Sequence, residues 1–168
     1  MAFPIDKFYQ LRYVPVPEVD FVGGVVATEL EGLNKPIGVA ADVPVLFNKQ
    51  IWKFKGLKDG KANILFDPSK GHEKPEGTGP IGQLGFNCTS QEPGTPVELG
   101  LVSEFLIQAT EAPDVYFIRP TGDMVGMDYY VGVSERGTLV VKGYNIGPGV
   151  PSRPRPAWRF DPIIEHVG

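Results

Sequence analysis

The side chains that could catalyse a reaction or bind a metal are few and widely separated. The chain has one cysteine, Cys88, and two histidines, His72 and His166. Neither histidine has another His or Cys at the spacing of a zinc site, and Cys88 has no activating base nearby in sequence. Gly77-Thr78-Gly79 is not followed by the Gly-Lys-Ser/Thr of a phosphate-binding loop. We therefore expect no enzyme, no metal and no cofactor, and we interpret Cys88 as a half-buried structural thiol.

Charge and composition narrow the classes of partner. The net charge is −4 and the pI is about 5.2, so no overall basic field favours nucleic acid or an anionic membrane. A single cysteine excludes an intramolecular disulfide. The N-terminus lacks a basic segment followed by an apolar one, and no apolar run approaches the roughly 18 residues of a membrane span. We expect a monomer in the cytoplasm, or one exported by a non-standard route.

A fixed stride of large aromatic residues indicates the architecture. Trp52, Phe105 and Trp158 lie 53 residues apart, and each is followed two places later by Phe54, Ile107 or Phe160. Aromatic–x–apolar is the period-2 pattern of a strand with one buried face. The 21 glycines and 17 prolines argue against helices. The repeat predicts one strand used three times in a single all-β domain.

Four strands can be placed in each copy, which predicts a β-trefoil: a six-stranded barrel capped by three hairpins. We expect a single domain over residues 1–168, with repeats at about 1–60, 61–113 and 114–168. The fourth strand of each copy carries a stride residue, in IWKFKG (51–56), EFLIQA (104–109) and AWRFDP (157–162). The other predicted strands are 8–13, 24–29, either 37–41 or 44–48, 62–67, 81–86, 97–101, 115–120, 129–134 and 138–143.

Gln50-Ile51-Trp52 offers a sugar-binding alternative. Gln-x-Trp in a fourth strand recurs in trefoil lectins of the ricin-B type, but here the motif occurs once. Since the tryptophan is a core residue in such folds, the motif reports the fold more than sugar binding. A β-trefoil lectin remains the alternative function.

The connections between strands are long and rich in Pro and Gly, which is typical of a rigid scaffold that displays binding loops. Within this frame, FYQLRYV (8–14), DFVGG (20–24) and VVATE (25–29) resemble the mycocypins, the fungal β-trefoil inhibitors that comprise clitocypins and macrocypins. Residues 39–52 also align with the macrocypin pattern without a gap, including Asp42, Lys49 and Trp52.

The resemblance implies inhibition of papain-like cysteine peptidases through two loops. A Gly-Gly backbone has no Cβ atoms, so it can lie close over a reactive thiolate. The alternative is that Gly23-Gly24 only begins a strand and that PVLF is a buried third strand. The residues implied are Phe21, Val22, Gly23, Gly24 and Val25 in the first loop and 42–49 in the second, with Pro44, Val45, Leu46 and Phe47 as its apolar part.

Macrocypin-like proteins use the loop between strands five and six as a second head, with an asparagine against asparaginyl endopeptidase or a lysine against trypsin. Residues 67–80 contain no asparagine here, so we do not expect the former. Lys70, followed by Gly71, and Lys74, before Pro75, suit the acidic S1 pocket of trypsin-like serine peptidases, and Lys70 is the better candidate. Rival basic positions are Lys35, Lys58, Arg153 and Arg155.

Overall fold

The computed structural model describes residues 4, 6–15, 24–66, 83–122, 126–149 and 153–163. In these ranges the chain forms twelve strands and two 3₁₀ helices, Pro44–Lys49 and Lys58–Gly60. The strands are β1 Phe8–Val14, β2 Val25–Thr28, β3 Gly38–Ala41, β4 Trp52–Gly56, β5 Lys61–Phe66, β6 Leu84–Asn87, β7 Glu98–Leu101, β8 Phe105–Ala109, β9 Val115–Pro120, β10 Met127–Val133, β11 Leu139–Asn145 and β12 Ala157–Pro162.

Six of the strands close a barrel. Antiparallel pairing runs from β1 to β4, β5, β8, β9 and β12, and β12 pairs with β1 again. A closed barrel leaves none of its six strands with an unpaired edge, so no edge must be protected from pairing with another chain. The predicted all-β class and the predicted barrel are confirmed. The division into three repeats with the boundaries given above stays a prediction.

The remaining six strands form three hairpins, β2–β3, β6–β7 and β10–β11. One residue from each hairpin joins a cycle of backbone hydrogen bonds. The amide of Ile37 donates to Val97 O (2.9 Å), that of Val97 to Leu139 O (2.9 Å), and that of Leu139 to Ile37 O (2.8 Å). All three residues are buried. The hairpins are therefore fixed to one another as well as to the barrel.

The stride residues lie at the centre of the core. Trp52, Phe105 and Trp158 are all at most 1% exposed. Each indole N–H has a partner: Trp52 Nε1 donates to Ala27 O and Trp158 Nε1 to Val131 O, both at 3.0 Å. Phe105 has no such donor and packs edge-on against another ring at 6.1 Å. The aromatic layer thus ties two of the hairpins to the barrel through hydrogen bonds as well as through packing.

Among the described residues, neither helix has the length and apolar character that crossing a membrane would need.

Replacing Trp158 with Phe tests the tie between barrel and hairpin. The change leaves the carbonyl of Val131 without its donor in a buried site and opens a small cavity. We expect the free energy of unfolding in urea to fall by about 2–4 kcal/mol. Lys55→Ala, on an exposed position of β4, is the control and should change it by less than about 0.5 kcal/mol. If the two substitutions lowered the free energy of unfolding equally, the packing and hydrogen bond of Trp158 would not stabilise the contact between barrel and hairpin.

Candidate functional site

Gly24 stands exposed immediately before β2. Its φ is 95°, in the left-handed region that L-amino acids with a side chain rarely adopt. Glycine is therefore strongly favoured by the backbone at this position. Val25 follows as the first residue of β2 and is half-buried. Phe21, Val22 and Gly23 lie outside the described residues.

The segment Pro44–Lys49 is a 3₁₀ helix and not a strand. The third strand is β3, Gly38–Ala41, so the alternative that placed PVLF in a buried strand is wrong. Pro44 favours a helix over a strand here, because its ring fixes φ near the helical value and it lacks the amide that a strand would use. No residue of this helix is buried.

Apolar side chains of this helix face solvent. Val45 is 87% exposed and Phe47 is 39% exposed, while Leu46 is half-buried. Exposed apolar groups gathered on one short loop are a common mark of a binding surface.

Strand register brings the two predicted loops together. Val25 pairs with Ala41 at the end of the β2–β3 hairpin. The residue before Val25 is Gly24 and the residue after Ala41 is Asp42, so both loops leave the same end of one hairpin. This end of the hairpin, with the helix Pro44–Lys49, is called the paired-loop edge below.

Asp42 is anchored to the barrel by polar contacts. Its carboxylate accepts from Gln10 Nε2 at 3.0 Å and from Arg12 Nη2 at 3.3 Å. Arg12 is also bound through Nε to Asp161 Oδ2 at 3.1 Å. The start of the second loop is thereby held against β1 and β12.

Gln50 anchors the far end of the second loop. Its side chain is fully buried, and its Nε2 donates to Ala41 O (2.9 Å) and to Thr28 Oγ1 (3.1 Å). A backbone bond from the amide of Glu29 to Lys49 O (2.9 Å) lies beside it. The helix is thus closed onto the hairpin from which it departs.

The burial of Gln50 and Trp52 also bears on the sugar-binding alternative. Gln50 is 0% and Trp52 is 1% exposed, so neither side chain of the motif can contact a sugar on the surface. The motif holds a loop and fills the core.

Cys88 does not have the surroundings of a nucleophile. Its Sγ donates to Ser90 O at 3.0 Å, and burial raises the pKa of the thiol. A raised pKa lowers the thiolate fraction at neutral pH. In the described part of the chain, no three His, Cys, Asp or Glu side chains come together as ligands for a metal ion. His72 and His166 lie outside that part.

The second predicted inhibitory loop is not tested by the geometry. Lys70, Gly71 and Lys74 all lie outside the described residues.

Sequence reasoning named Asp42 and Gln50 but not their anchoring role, and it missed their partners Gln10 and Thr28. Gln10 and Asp42 are 32 residues apart, and Gln50 and Thr28 are 22 apart. No local pattern marks such pairs, because they depend on strand register. For Gln10 and Thr28 the available signal was polar character at buried positions of strands.

Comparison with known sequences identifies relatives over almost the whole chain. Residues 7–160 match the family described as peptidase inhibitor clitocypin. Clitocypin-2 of Clitocybe nebularis is 35% identical over 163 residues, which cover 95% of this chain and 98% of that protein. Clitocypin of the same organism is 33% identical over 158 residues, covering 92% and 96% of the two chains.

Comparison with solved structures supports the β-trefoil assignment. The crystal structure of ThreeFoil, a designed three-fold symmetric protein, superposes with a TM-score of 0.55. It covers 93% of this chain and 99% of its own, at 14% sequence identity. At this identity the likeness bears on the fold alone.

The two anchors of the second loop should differ in strength. Gln50→Ala removes two buried hydrogen bonds and leaves a cavity, so the free energy of unfolding should fall by about 2–4 kcal/mol. Asp42→Ala removes contacts of a partly exposed carboxylate and should cost less than about 1 kcal/mol. Urea denaturation of both variants measures the difference. A larger cost for Asp42→Ala would show that the ion pair, and not Gln50, holds the loop.

Proposed function

The chain belongs to the clitocypin family of peptidase inhibitors, and we propose that it blocks the active-site cleft of papain-like cysteine peptidases with its paired-loop edge. Membership of the family confirms the resemblance to the mycocypins and the expectation of an inhibitor instead of an enzyme. The partner is therefore a peptidase. The choice of cysteine peptidases and of these loops is our proposal.

The observation that carries the proposal is the position of Gly24 beside the second loop. Gly24 is exposed, has no Cβ, and lies at the same end of the hairpin as Asp42. A papain-like cleft is an extended groove with a reactive thiolate at its floor. A backbone without a side chain can approach such a sulfur closely.

The flanks of the edge supply apolar contact. Val25 directly follows Gly24, and the exposed Val45 and Phe47 lie in the helix of the second loop. The buried core of an interface is apolar and rich in aromatic residues, and a few anchors in it contribute most of the binding energy. The two loops would enter the groove as a wedge and exclude substrate.

Affinity in this proposal comes from preorganisation. Asp42 is bound to β1, and Gln50 is buried against the hairpin, so both ends of the second loop are fixed before encounter. Little ordering entropy is then lost on binding. The inhibitor acts as a monomeric, competitive and non-covalent plug, with a contact of about 1,600 Å² in total.

Gly24→Val tests the site directly. A branched side chain would hold the backbone away from the thiolate and strain a φ of 95°. We expect the inhibition constant for papain to rise by about 100-fold or more, which is the size of a strong interface residue. Gly94→Val is the matched control, because Gly94 has a φ of 91° in open space on another hairpin connection. That variant should inhibit papain to within about twofold of the parent chain. Its backbone strain lowers the stability of the fold by roughly 1–2 kcal/mol but removes no contact with the peptidase.

A second pair of variants separates the loop from the glycine. Val45→Asp places a charge on the most exposed apolar residue of the helix and should weaken inhibition at least about tenfold. Leu101→Asp makes the same change at an exposed position of β7 and should have no effect. If Gly24→Val and Val45→Asp both inhibit papain as strongly as the parent chain, the paired-loop edge is not the inhibitory site. The family assignment would be unaffected.

Inhibition of trypsin-like serine peptidases through Lys70, Gly71 and Lys74 stays a prediction. The same assay with trypsin in place of papain measures it. If Lys70 enters the S1 pocket, Lys70→Ala abolishes trypsin inhibition and leaves papain inhibition unchanged. Retention of trypsin inhibition by this variant would exclude Lys70.

A further inference from the structure

Arginine and tyrosine side chains are stacked at one corner of the β10–β11 hairpin. The guanidinium carbon of Arg155 lies 4.3 Å from the ring centroid of Tyr144 and 5.8 Å from that of Tyr130. The two tyrosine rings are 5.8 Å apart at 75°. We call Tyr130, Lys142, Tyr144, Arg153 and Arg155 the arginine–tyrosine cluster. Attraction to these rings favours the stacked orientation of Arg155 before any partner arrives.

The cluster is positively charged. Arg153 is exposed, and Arg155 is half-buried and donates from Nη1 to Arg153 O at 3.0 Å. A Cβ at Gly132 would meet Lys142 Cδ and Pro156 Cγ, each at 3.0 Å, so the Lys142 stem lies beside the same loop. None of these three cations forms an ion pair with an acidic residue among the residues that the structure describes. Asp128 lies opposite Tyr144 in the hairpin but is paired with Arg119 at 3.1 Å. In a chain of net charge −4, the three cations are therefore a local excess of positive charge.

The cluster is continuous with the paired-loop edge through Tyr13. The ring of Tyr13 packs on Trp158 at 5.1 Å, and burial together with the neighbouring Tyr144 raises the pKa of Tyr13. Arg12 pairs with Val26, so one residue further along, this register sets Tyr13 beside Val25. Val14, the last residue of β1, pairs with Ala157, two residues after Arg155. The cations therefore lie beside the point at which the chain leaves β1.

We infer that the arginine–tyrosine cluster is an accessory contact for acidic side chains on the rim of the peptidase cleft, and that it selects among target peptidases by their surface charge. The inference rests on the proposed function, because it assigns the cluster to the same bound enzyme. Guanidinium groups bind carboxylates with two parallel hydrogen bonds. Arg and Tyr are also the residues that most often dominate interfaces.

The stacking of Arg155 lowers the entropy cost of binding a carboxylate. A guanidinium already held by Tyr144 and by the Arg153 carbonyl loses little freedom on binding a carboxylate. Charges at the rim of an interface act mainly on the association rate, through long-range attraction that salt screens.

The test compares two papain-like peptidases, one with an acidic and one with a basic surface around its cleft. Association rate constants are measured for the parent chain, for the double variant Arg153→Gln/Arg155→Gln, and for the control Arg136→Gln at an exposed position of another turn. At about 50 mM salt, the double variant should associate roughly 5–10-fold more slowly with the acidic enzyme and faster with the basic one. Both differences should vanish at about 500 mM salt. Arg136→Gln should change neither rate by as much.

Equal association rates for the parent chain and the double variant, with both enzymes, would overturn the inference. Binding of a fluorescein-labelled decaglutamate peptide to the parent chain is measured in parallel. It distinguishes failure of this inference from failure of the proposed function. If the parent chain inhibits neither peptidase but binds decaglutamate through Arg153 and Arg155, the cluster serves a different acidic partner and the rim assignment is wrong. If a heparin fragment binds the cluster more tightly than decaglutamate and leaves peptidase association unchanged, the occupant is a sulfated glycan, which also overturns it.

Discussion

The structure depends on a closed cycle of three backbone hydrogen bonds at the point where the hairpins meet. The cycle is formed by Ile37, Val97 and Leu139. Each residue donates its amide to the carbonyl of the next and accepts, at its own carbonyl, the amide of the previous one. Because all three residues are buried, displacing one hairpin would leave a donor and an acceptor unpaired, at a cost of about 1–3 kcal/mol for each group. The hairpins consequently hold one orientation, and the ends from which the loops depart are fixed with them.

Around the second loop, polar side chains are buried and apolar side chains are exposed. The buried interior contains polar side chains such as Gln50 and Thr28, whose hydrogen bond closes the second loop onto its hairpin. The exposed loop carries apolar side chains, among them Val45. Such an arrangement costs solvation free energy in the free protein, and a partner that covers the loop recovers it. Rigid loops with exposed apolar groups are what a plug for another protein's cleft requires.

Local pattern was enough to predict most of the strands. Trp52 and Phe54 are buried while Lys53 and Lys55 are exposed, which is the alternation that the stride indicated. The third strand of the first copy was ambiguous, because 37–41 and 44–48 are both apolar. Pairing of β3 with β2 and the ring of Pro44 decide between them, and neither effect can be read from periodicity. The candidate site was found through a family likeness, whereas its anchors at Gln10, Asp42 and Gln50 depend on contacts between distant parts of the chain.

We propose that a stiff glycine-containing edge fills the groove of a cysteine peptidase. A crystal structure of the complex with papain tests it most directly, through the distance between the Cα of Gly24 and the catalytic sulfur. We expect van der Waals contact, at about 4 Å, with Val45 and Phe47 buried against one wall of the groove. A complex in which another segment of the chain occupies the groove, and Gly24 remains in solvent, would contradict it.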